Sequence, residues 1–171
     1  MNAPRRRSLL PALFAALAAA SLLPSPARAG APEDLFAFKN KRGQSLHFVV
    51  LDDGGRRAAS LIVAPSDDAP PEKRLSIDFL SAQEWAKFAA LWKKARRAAP
   101  PKADKPAPAG SYRAPDGGPR VDMNVGRTGD ILLLFFGGKD DPSHYGFQTG
   151  GSGRDEVGAA VDKVTAFFAR P

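Results

Sequence analysis

The stretch SAQEWAKFAALWKKARRAAPPKADKPAPAG, residues 81–110, joins an amphipathic helix to a proline-rich spacer, and the chain on either side of it follows the same order. Ser81-x-x-Glu84 is a capping-box pattern, in which the Ser81 hydroxyl accepts from the backbone NH of Glu84. Trp85, Phe88, Ala89 and Trp92 fall at i, i+3, i+4 and i+7, which predicts one apolar helical stripe over residues 81–98. Pro100-Pro101 stops that helix. Residues 99–110 then read as an extended, semi-rigid Pro/Ala linker.

Upstream of this stretch the hydrophobic period is two. Leu35 to Lys39 is short and aromatic, and Leu46, Phe48 and Val50 alternate with His47, Val49 and Leu51. Asp52 to Gly55 supplies hairpin-turn residues. Ala59–Ala64 and Leu75–Leu80 complete four predicted strands ahead of the helix. Downstream, Ser111–Ala114, Val121–Val125, Ile131–Phe136 and Tyr145–Thr149 repeat the four strands. A second helix over Ser152–Arg170 follows, with Val157, Val161, Val164 and Phe168 as its stripe and Ser152 as its cap. The step from Ser81 to Ser152 equals the step from Leu61 to Leu132. The steps from Phe48 to Met123 and from Phe38 to Tyr112 are slightly longer, because the second repeat has a shorter turn between its middle strands.

The pattern predicts an α+β fold of two tandem ββββα repeats, residues 33–98 and 111–170. Their strands are expected in one antiparallel sheet or two abutting ones, with both helices packed on one face. A unit of ~65 residues is marginal alone, so the halves are expected to pack together within a single domain over residues 30–171.

Residues 1–29 have a separate logic. Arg5, Arg6 and Arg7 precede an apolar run from Leu9 to Leu23, and Ala27 and Ala29 occupy the small-residue positions of a cleavage site. This order predicts a secretory signal peptide cut between Ala29 and Gly30. Arg6-Arg7-Ser8-Leu9-Leu10 fits a twin-arginine signal loosely. The expected location is periplasmic or secreted, with no integral membrane span left after cleavage. The chain has no cysteine, which excludes a lipid-anchored cysteine and any disulfide. Cleavage leaves Gly30 to Pro171 and removes Arg5, Arg6, Arg7 and Arg28 but no acid, so the net charge drops from +7 to +3 (7 − 4). The basic residues are interspersed with acids except for Lys93-Lys94 and Arg96-Arg97, which complement the dipole at a helix C-terminus. Nucleic acid is therefore not an expected partner.

The densest polar stretch is GGKDDPSHYGFQTGGSGRDE, residues 137–156. Asp140, Asp141, Ser143 and His144 are its candidate catalytic residues, and Asp140, Asp141 and His144 are its candidate metal ligands. A serine nucleophile needs a base within reach, and adjacent side chains in extended chain, such as Ser143 and His144, point apart. The Asp140-Asp141 pair recurs in the first repeat as Asp67-Asp68, which suggests turn chemistry. Gly151, Gly153 and Arg154 are candidate anion binders at a helix start, although Asp155 and Glu156 already answer that dipole. No phosphate loop or nucleophile elbow is present, and no cofactor is implied.

Ile131–Phe136 lacks polar alternation, so Leu132, Leu134 and Phe136 need cover on the face away from the helices. Trp85 and Trp92 read as core. The expected function is that of a small exported, non-enzymatic binding or interaction protein of the bacterial cell envelope or exterior. It would use an apolar sheet face for a protein partner or for self-association. The competing expectation is an exported hydrolase or metal-dependent enzyme centred on His144 with Asp140 or Asp141.

Overall fold

The computed structural model describes residues 31–171, so the expected signal peptide and its cleavage site lie outside the described residues. Four strands, β1 (Glu33–Lys39), β2 (Ser45–Asp53), β3 (Arg56–Ala64) and β4 (Leu75–Phe79), precede α1 (Ala82–Arg97). Four more, β5 (Ala107–Arg113), β6 (Arg120–Val125), β7 (Ile131–Phe136) and β8 (His144–Gln148), precede α2 (Gly150–Phe168). The strands form two separate antiparallel meanders, ordered β1-β2-β3-β4 and β5-β6-β7-β8. The fold is thus two ββββα units, with the helices packed against the sheets.

Register shows how closely the units match. The β1–β2 ladder slips between Asp34 and Phe36, and the β5–β6 ladder slips between Pro108 and Gly110. The two bulges are separated in sequence by the same step as Phe38 and Tyr112. An unpaired extra residue at the same place in both opening strands has no reason to arise twice by hydrophobic patterning alone. Across the sheets, Phe48 pairs with Leu61 and Leu61 with Ile77, while Met123 pairs with Leu133 and Leu133 with Phe147. All six side chains are buried.

Leu61 therefore corresponds to Leu133, and the simple offset that matched it to Leu132 is one position short. A slip of one turns every side chain to the other face of a sheet. The helices agree with the corrected spacing. Trp85, Phe88, Ala89, Trp92 and Ala95 are buried on α1. Val157, Ala160, Val161, Val164 and Phe167 are buried on α2, and each stands at the Leu61-to-Leu133 step from its counterpart. The α2 stripe ends on Phe167, with Phe168 half-buried beside it.

The helices do not serve only their own sheets. α1 lies against β3 and β4 but also against β5 and β6, and α2 lies against β1 and β2 and against α1. The Trp85 indole donates to Thr165 Oγ1 at 2.9 Å, joining the two helices. Phe79 of β4 packs on Tyr112 of β5 with ring centroids 5.0 Å apart, and Phe38 of β1 meets Phe147 of β8 edge-on at 5.7 Å. The buried apolar residues of both repeats form one continuous core.

Two local expectations are revised. The spacer is shorter than residues 99–110, because β5 begins at Ala107 and its Pro108 pairs with Asn124. The α2 helix begins at Gly150, with Thr149 at the cap position, so Ser152 sits inside the first turn and does not cap it. Ser81 does cap α1, accepting from Glu84 N at 3.2 Å, while Glu84 Oε2 accepts from Leu80 N at 2.7 Å.

Candidate functional site

The polar stretch after β7 is organised as a turn. Gly137 N donates to Ser143 O at 2.7 Å, and Asp141 Oδ1 accepts from Ser143 N at 2.9 Å. The Ser143 side chain and amide hold the Asp141 carboxyl below its usual range. Ser143 is therefore engaged with Asp141. Asp140 and His144 are exposed, and His144 Nδ1 lies 3.4 Å from the Pro142 carbonyl oxygen. His47 is in the other sheet, with its Nδ1 2.9 Å from Asp34 Oδ2. The two histidines thus hold separate partners. Among the described residues, no group of three or more His, Asp or Glu side chains converges as a metal site would require.

The glycine run leads elsewhere than its composition suggests. Gly151 faces an open cleft of about 710 Å³ between the β1–β2 turn and the start of α2, whose lining includes Lys39, Lys41, Arg42 and Glu156. Gly153 turns inward, and a β-carbon there would overlap the Phe38 ring. Arg154 reaches back to Gly129 O at 3.0 Å and to the Arg96 carbonyl oxygen. Its guanidinium caps the C-terminus of α1, where free carbonyls and the negative end of the dipole attract a cation. Of the three anion-binding candidates, Gly151 alone lines the cleft. The cations on its wall come from the first repeat, far away in sequence.

The outer face of the second sheet gathers the apolar candidates. Leu132, Leu134 and Phe136 alternate with the buried Ile131, Leu133 and Phe135, and all three are half-buried on the side away from the core. The register sets polar neighbours on both sides of this stripe. Asn124, Asp122 and Arg120 of β6 lie opposite Leu132, Leu134 and Phe136, and Gln148, Gly146 and His144 of β8 lie opposite the same three. Gly146 has no side chain, so Leu134 is uncovered on that flank. Arg120 lays its guanidinium over Phe136, 4.3 Å from the ring centroid, and its Nε is 3.0 Å from Asp122 Oδ1.

Residues with no outward signature in the sequence hold this face in place. Asp130 is only 4 % exposed. Burial raises its pKa, but donors from Thr128 (2.6 Å) and from the Gln148 amide outweigh that cost and leave the carboxyl below its usual range. The free edge of β8 is contacted from the other repeat. Gln44 Nε2 donates to Gly146 O at 2.8 Å, and Asn40 Nδ2 approaches Gln148 O at 3.4 Å. These two contacts occupy part of the β8 edge. A cation–π partner on the neighbouring strand leaves no periodic signal, so the sequence alone does not single out Arg120. The cleft has no local signature either, because its walls come from different repeats.

No protein-family model matches this sequence and no curated protein matches it, so its functional reading rests on these residues.

Proposed function

We propose that the chain is an exported, non-enzymatic binding protein of the cell envelope or exterior that captures a protein partner through the outer face of its second sheet. The observation that supports this reading is the stripe Leu132, Leu134 and Phe136, partly buried in one row on the face away from the core, with mostly polar residues along both sides and Arg120 stacked at one end. An apolar centre inside a polar rim is the anatomy of a protein interface, and Arg and aromatic side chains are its characteristic anchors. The basic n-region, apolar run and small-residue cleavage pattern of residues 1–29 support export.

The test is the double substitution Leu132→Lys with Leu134→Lys. Both side chains lie off the core, so the circular dichroism of the folded chain is expected to persist while partner capture or self-association is lost. Sedimentation at high protein concentration and cross-linking in cell-envelope extracts read the outcome. A wild-type chain that stays monomeric and captures nothing overturns the reading. So does a stoichiometric metal that disappears in His144→Ala, because it would point to the competing enzyme.

A further inference from the structure

The positive charge of the described residues is concentrated in one place. Residues 85–105 carry seven basic side chains and one acid, whereas the rest of the described chain carries 14 basic and 17 acidic side chains. The helix from Trp85 onward and its spacer therefore hold +6, set against −3 for the other described residues. Within that segment, Lys87, Lys93, Lys94 and Arg97 project from the side of α1 opposite its buried stripe and are exposed. Among the described residues none of the four enters a salt bridge. Lys93, Lys94 and Arg97 rim a shallow depression of about 540 Å³ whose floor is Ala90 and Ala98.

Complementing the helix dipole explains cations in the last turn of α1. It does not explain Lys87, nor the absence of any acid on the helix after Glu84. Lys87 to Arg97 spans roughly 15 Å along the helix, and over that length the exposed side chains are Lys, Arg or Ala.

We propose that this face of α1 docks on an anionic lipid bilayer, seating lipid phosphates against Lys93, Lys94 and Arg97. The partner must present negative charge continuously along the helix, and a membrane surface does. The depression has no aromatic lining on which bases would stack, as single-stranded nucleic acid binding requires. It is also too open to enclose a small ligand. Each Lys or Arg near an anionic surface adds a favourable increment that salt screens. The other described residues are net negative, which favours presenting this face to such a surface. No helix among the described residues is long and apolar enough to cross a membrane, so this attachment is peripheral.

The experiment is co-sedimentation of the full chain with vesicles of phosphatidylcholine, with and without phosphatidylglycerol. Wild type is compared with the triple variant Lys93→Gln, Lys94→Gln, Arg97→Gln. Both proteins have the same N-terminal residues, so their difference reports α1. Wild type is expected to bind only the anionic vesicles and to be released at high salt. The variant is expected to bind about a hundredfold more weakly, with its thermal melt unchanged. Equal binding by the two proteins overturns the proposal. Binding to soluble polyglutamate without binding to vesicles overturns it in favour of an acidic protein surface. Leu134→Ser is expected to bind vesicles as wild type does, and loss of binding there would assign the attachment to the sheet face.

Discussion

Tyr112 is buried on β5 with no hydrogen-bond partner for its hydroxyl. Burial, with Glu84 adding to it, pushes the phenol pKa up to about 12 from its ordinary value of 10.0. The unfolded chain ionises this group first, so the stability it contributes is intact below pH 10 and is lost as pH climbs toward 12. In Tyr145→Phe, which leaves Tyr112 as the single tyrosine, phenolate absorbance is expected to rise with a midpoint near 12. A midpoint near 10 would place the hydroxyl in water. Removing the unpaired group in Tyr112→Phe is expected to cost less than about 1 kcal/mol, because no native hydrogen bond is lost. The sequence places Tyr112 on an extended piece, but burial depends on Phe79 and Phe88, which reach it from the other side of the spacer. Polar residues are limited in the same way. Asp140, Asp141, Ser143 and His144 are visible as chemistry, yet the Ser143–Asp141 turn that engages two of them is a matter of backbone path.

At the scale of single elements, α1 is legible end to end because its stripe, its Ser81 cap and its proline stop all point the same way. The start of α2 is not. Thr149-Gly150-Gly151-Ser152-Gly153 lacks a capping box and has low helix propensity, so tertiary contacts and not local preference decide where the helix begins. Two glycines of this turn behave oppositely. Gly151 meets open space, and Gly151→Ala is expected to raise stability by about 0.5–1 kcal/mol through helix propensity. Gly153 abuts the Phe38 ring, and Gly153→Ala is expected to cost about 1–3 kcal/mol as that ring is forced aside. Thermal melts of the pair give the signs directly, and equal shifts would show that α2 does not seat on β1 here. The apolar face of β7 was legible for a simple reason. Six apolar residues in a row cannot all point inward from a strand.

Across the whole molecule the duplication was readable from matching element order, and the paired bulges establish it more firmly than any hydrophobic offset. The cross-packing was not readable, since nothing in a helix pattern says which sheet it will cover. Because α1 lies on β5 and β6, and α2 on β1 and β2, neither repeat owns a complete core. Calorimetry is expected to show one cooperative unfolding transition with matching calorimetric and van't Hoff enthalpies. Two resolved transitions would mean that the halves are independent domains.

The exchange of helices between repeats also sets an order in time. During synthesis the first four strands and α1 emerge complete, yet part of the stripe Trp85, Phe88 and Trp92 has nothing to rest on until β5 and β6 are made. At roughly 5–20 residues per second the second repeat follows some seconds later. For that interval part of the aromatic stripe lacks the cover that β5 and β6 give it in the folded chain. A core shared in this way is complete only when residues of both repeats, α2 included, are present.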